Sequence, residues 1–149
     1  MKRVLLHIGA LSLLLLANRG TDIGSLRPVE VVQLTEHRGI LIMKTDTGDC
    51  GWGMTVEQAV EKLKETTPGS IYLDTADFLL LKDGLEVYIP QLGSYLKKNT
   101  RVVFTTENMN LQDAASYLRI HKPENVMKNL EKPEEQLVFE GGKLVLKKF

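Results

Sequence analysis

The sequence has a single cysteine, Cys50, which excludes an internal disulfide and any metal site built from several thiolates. It has one tryptophan, four tyrosines and four phenylalanines, too few for a base-stacking platform. Acidic and basic residues number 19 each, so no global basic field draws the chain to nucleic acid. His7, His37 and His121 stand far apart, without the spacing of a zinc site. No repeat or low-complexity tract is present, and no motif asks for a cofactor. What remains is ordinary globular composition, 43% hydrophobic and 26% charged over 149 residues. A chain of this length buries a core without disulfides or metals.

The one long apolar run lies at the start. Lys2 and Arg3 precede an uncharged stretch from Val4 to Ala17, VLLHIGALSLLLLA. A basic start followed by such a run is the layout of an export signal. As a helix it would reach about 20 Å, short of the roughly twenty residues of a standard span. Ala17-Asn18-Arg19-Gly20 offers no clean small-residue cleavage pattern, so a retained anchor is expected, basic end inside the cell and the rest outside. The alternative is a buried strand or helix of a cytosolic core. Without residues 1–19 the chain keeps 16 basic against 19 acidic residues, a net charge of −3.

The best-defined unit runs from Thr55 to Thr75. Thr55 and Gln58 match a capping box, and Val56, Ala59, Val60 and Leu63 form one apolar stripe. Thr66-Thr67-Pro68-Gly69 should end the helix, with Ile71, Tyr72 and Leu73 following as a strand that it covers. Upstream, residues 28–35 and 40–44 form a hairpin across Glu36-His37-Arg38-Gly39, and 46–53, DTGDCGWG, reads as a glycine-rich connection. Downstream come a second apolar run at 78–81, then a helix over Leu85, Tyr88, Ile89, Leu92 and Leu96 that Pro90 should kink or delay. A strand at 101–106, an Asn110-capped helix and a short helix over Val126, Met127 and Leu130 lead to a hairpin turned by Gly141-Gly142. The expected fold is an α/β, or α+β-like, mixed sheet covered by helices with hairpins at both ends. The expected organisation is a signal or anchor helix at 1–19, a linker at 20–27 and one domain at 28–149.

Candidate chemistry is sparse. Asp46-Thr47-Gly48 is the triplet of aspartic proteases and Asp74-Thr75 an incomplete second copy, so a small exported hydrolase could pair Asp46 with Asp74. However, Asp-Thr-Gly is also common turn chemistry, and the second site has Ala76 where the glycine belongs. Glycines 48, 51 and 53 lack the dinucleotide spacing, and Met54 stands where a phosphate-binding lysine would. Cys50 has no histidine near it in sequence and is expected to be inert. Trp52, between two glycines, is expected to plug the core. Lys97-Lys98 and Lys147-Lys148 are solvated ends.

The segment from Gly53 to Leu118 carries a further pattern. A helix with Thr55, Ala59 and Leu63 leads to a strand and a second apolar run. Leu92 and Leu96 then precede a Lys/Asn-rich turn, and Arg101-Val102-Val103-Phe104 follows. This resembles the N-terminal domain of the C subunit of spore germinant receptors, the Ger(x)C family of spore-forming Firmicutes. The resemblance covers under half of the chain and implies an exported, membrane-attached, non-enzymatic protein. It carries over no functional residue. Two departures stand beside it: no cysteine follows the apolar run to take the family's lipid, and family members are longer, with further domains. The function expected is a membrane-anchored extracytoplasmic binding or assembly module, with an unidentified protein partner and the membrane itself, through Val4 to Ala17, as its contacts. A cytosolic α/β domain is the remaining option.

Overall fold

The computed structural model describes residues 26–106, 108–129 and 134–149, with the Asn129 side chain left out; the apolar run from Val4 to Ala17 lies outside them. A hairpin opens the main sheet: β2 (Val31–His37) and β3 (Ile40–Thr45), after a three-residue strand β1 (Leu26–Pro28). Arg38 and Gly39, both with positive φ, make the two-residue turn that suits the twist of the strands. β4 (Cys50–Gly53), helix α1 (Val56–Thr66) and β5 (Ser70–Tyr72) follow. Next come β6 (Phe78–Lys82), the one-turn helix α2 (Ile89–Leu92), β7 (Arg101–Thr105) and helix α3 (Leu111–Ile120). β8 (Glu135–Glu140) and β9 (Lys143–Lys148) close the chain as a hairpin.

Seven strands form one mixed sheet in the order β4-β3-β2-β6-β7-β8-β9. β2, β6, β7 and β8 run parallel in the middle, and antiparallel hairpins flank them on both sides. The expected mixed sheet with terminal hairpins is therefore present. Its centre is β6, whose Phe78, Leu79, Leu80 and Leu81 are buried on both faces. An unalternating apolar run is what a strand covered on two sides requires.

Leu79 and Leu81 point to the face covered by Val56, Ala59, Val60 and Leu63 of α1 and by Ile89 and Leu92 of α2. Phe78 and Leu80 point to the other face, against Leu111, Ala114, Ala115 and Leu118 of α3. Crossovers of a single hand along four parallel strands in chain order would have put all three helices on one face. α3 lies on the other, so the connections leaving β6 and β7 part to opposite sides of the sheet. On the outer edge, β9 carries Lys143, Lys147 and Lys148, charges that oppose pairing with another strand.

Several expectations need correction. β5 shares a core cluster with α1 through Ile71, but it pairs with β1 in a separate two-stranded piece, and Leu73 has already turned into a 3-10 turn. Leu26 and Arg27, placed in the linker, thus belong to the fold. The segment after β6 is a 3-10 turn (Glu86–Tyr88) running into the one-turn α2, because Pro90 fits only at the start of a helix. The short helix expected over Val126, Met127 and Leu130 is a 3-10 helix at Met127–Asn129, and Leu130 lies outside the described residues. The α1 start matches its expectation with one shift: Thr55 Oγ accepts from Gln58 N at 3.2 Å, but Gln58 Oε1 reaches Met54 N at 2.9 Å rather than the amide of Thr55.

The segment 46–53 is not a connection throughout, because Cys50–Gly53 forms edge strand β4. Its glycines are there for space. Gly51 and Gly53 face α1, and a Cβ on either would stand within 3 Å of the helix backbone. The alternate residues Cys50 and Trp52 face the other way. Trp52 is therefore 48% exposed instead of filling the core, with the Lys62 ammonium 5.4 Å from its ring centre.

Candidate functional site

A cleft of about 820 Å³ opens at the amino-terminal ends of β2, β6 and β7. Its charged lining comes from distant parts of the chain: Glu30, Asp46 and Asp77 against Arg101, Arg119 and Lys122.

Asp46 follows β3 directly, and its Oδ1 accepts from the amides of Glu30 at 3.0 Å and Val31 at 2.9 Å. Its own amide donates to Val31 O at 3.1 Å. The carboxylate thus clamps the entry of β2 to the exit of β3. The rest of the Asp-Thr-Gly-Asp turn is structural too. Thr47 Oγ1 donates to Asp49 Oδ2 at 2.6 Å, and Asp49 in turn holds Arg27 of β1 at 3.1 Å. Thr75 Oγ1 accepts from Val29 N at 2.9 Å, which fixes the 3-10 turn carrying it to the same corner. Asp74, next to it, is exposed and is absent from the cleft lining. Of the two sequence candidates the cleft holds only Asp46.

Most of the remaining charges have partners. Glu30 hydrogen-bonds Arg119 through both carboxylate oxygens, Asp77 pairs with Lys97, and Arg101 donates to the Pro123 carbonyl. Hydrogen bonding to Glu30, then the charge of Glu30, hold the Arg119 guanidinium above its ordinary value, and Asp46 adds a smaller pull. The lining thus holds three acids and three bases, a balanced set of charges. Sequence reading missed Glu30, Asp77, Arg101, Arg119 and Lys122; their positions give no local signal, because only the sheet order brings them together.

Elsewhere, Cys50 is half-buried on β4 beside a shallow groove shared with Lys44 and Gln112. His121 stacks on Tyr117 at 4.4 Å between ring centres, and His37 is exposed at the end of β2. Among the described residues no three His, Cys, Asp or Glu side chains converge as a metal site would need.

Compared with family models, curated proteins and solved structures, the chain matches none of them.

Proposed function

We propose that this chain is a non-enzymatic binding or assembly module, held outside the cytoplasmic membrane by the apolar segment from Val4 to Ala17. The observation that carries this choice over a hydrolase is the double amide clamp on Asp46 Oδ1. An aspartic dyad needs two carboxylates sharing a proton. Here one carboxylate closes a strand junction, and Asp74 is exposed and outside the cleft that holds Asp46. The balanced cleft around Glu30 and Arg119 is the face offered to a partner. The pattern shared with the germinant-receptor domain supports the same reading, and a role in sporulation or germination follows from it.

Among the described residues no helix is long and apolar enough to cross a membrane; in this reading the tether is the segment from Val4 to Ala17. Cys50, the only thiol, is the reporter. Intact cells stripped of outer layers are treated with a membrane-impermeant maleimide and compared with lysed cells, with denaturant added to expose the half-buried thiol. Labelling before lysis is the expected outcome. Labelling only after lysis would put the domain in the cytoplasm and sink the proposal.

A further inference from the structure

A second depression, about 270 Å³, lies at the opposite end of the sheet, beyond the carboxyl ends of β2, β6 and β7. Its position follows from the topology. The chain leaving β6 turns to the face of α2 and the chain leaving β7 turns to the face of α3, so the sheet edge between them is covered by neither connection. In open α/β sheets such switch points are where ligands are held.

The chemistry of the lining is distinct from that of the larger cleft. Lys44 of β3 and Lys82 of β6 bring two ammonium groups, with His37 beside them and Glu36 as the one acid among the described residues of the lining. Lys44 has no ion-pair partner among the described residues. Lys82 makes only a long contact, 3.5 Å, to the Glu36 carbonyl. Lys82 lies directly across the strand pairing from Thr105, and Thr105 is almost fully buried in the floor. Thr35, Thr106 and Asn108 add hydroxyl and amide groups at the rim. Two ammonium groups beside the Thr106 hydroxyl and the Asn108 amide match an oxyanion, which accepts from both kinds of donor. The volume falls below that of sites for drug-sized molecules, which begin at roughly 300 Å³.

We propose that this crevice binds a small oxyanion, a phosphate or a carboxylate group, held by Lys44 and Lys82 and oriented by the Thr106 hydroxyl and the Asn108 amide at the rim. This goes beyond the function proposed above and stands whether or not the domain is tethered.

The test uses the full-length chain in detergent micelles, titrated calorimetrically with inorganic phosphate and separately with succinate at constant ionic strength. Saturable binding of one or both is expected, and the comparison tells phosphate from carboxylate. Lys44→Met and Lys82→Met should each weaken binding about tenfold, the loss of one charge-assisted contact. Thr106→Val should weaken it severalfold with no change of net charge. Lys64→Met, on α1, should leave it unchanged. Thermal melts of each variant separate lost binding from lost fold. The proposal fails if neither anion binds saturably. It also fails if Lys64→Met weakens binding as much as Lys44→Met does, since only diffuse attraction would then remain.

Discussion

Gly51 of β4 lies so close beneath α1 that a Cβ built on it would stand 2.1 Å from the carbonyl oxygen of Ala59 and 2.4 Å from the amide of Leu63. Both atoms are helix backbone and cannot swing aside. Gly51→Ala must therefore push α1 off the sheet, disturbing Val56, Val60 and Leu63, all at most 1% exposed. Overpacking of this kind costs about 1–3 kcal/mol. For a domain of this size that lowers the melting temperature by roughly 3 °C per kcal/mol. Gly48→Ala is the comparison, since a Cβ there meets nothing within 4 Å and only its positive φ opposes the change. A smaller loss for Gly51→Ala than for Gly48→Ala in thermal melts would refute the close-packing account.

That contact also marks where sequence reading succeeds and fails. The α1 cap, its apolar stripe, the Asn110 cap and the two-residue turns at Arg38-Gly39 and Gly141-Gly142 are local, and each was legible from neighbours three or four residues apart. The strand character of Cys50–Gly53 was not, because Gly-Trp-Gly looks like a loop until a helix lies on it. The central place of β6 was equally hidden: a run of apolar residues shows burial but not which strands flank it. The cleft lining depends entirely on strand order. Glu30 and Arg119 meet across 89 positions of sequence, a distance no periodicity spans.

Asp46 offers a test of structural against catalytic use. Asparagine keeps a side-chain oxygen that can accept from Glu30 N and Val31 N, whereas alanine leaves both amides without that partner. Removing an acceptor from part-buried donors costs about 1–3 kcal/mol. Urea unfolding should therefore show Asp46→Ala clearly destabilised and Asp46→Asn close to the parent. Equal destabilisation by the two would show that the charge, not the hydrogen-bonding geometry, matters at this corner.

Trp52 supplies a prediction smaller in magnitude than its sequence expectation. A tryptophan filling the core would cost about 3–5 kcal/mol on truncation to alanine. At 48% exposure, with Lys62 over its ring as the cation, it should cost nearer 1 kcal/mol. Lys62→Met should remove part of that same contribution, so the double variant should fall short of the sum of the singles. Strict additivity would show that the ring and the ammonium do not interact in solution.

The last expectation concerns pH. Glu124 Oε2 lies 2.8 Å from Lys148 Nζ, joining the loop after α3 to the edge strand β9. Hydrogen bonding from Lys148, then its charge, hold the Glu124 carboxyl below its ordinary value, and the hydrogen bond to Glu124 raises Lys148 above its own. A lowered carboxylate contributes stability that is complete above its unfolded value, about 4.3, and is lost as pH falls through the lower folded value. A raised lysine contributes stability that is complete below about 10.4 and is lost as pH rises through the higher folded value. The difference in melting temperature between the parent and Lys148→Met should thus be flat around neutrality and vanish at both extremes. Because both groups are exposed, the difference should be small and shrink further as salt is raised. A difference that survives in acid, where Glu124 is protonated, would assign the effect of Lys148 to the packing of its methylene stem instead of to the ion pair.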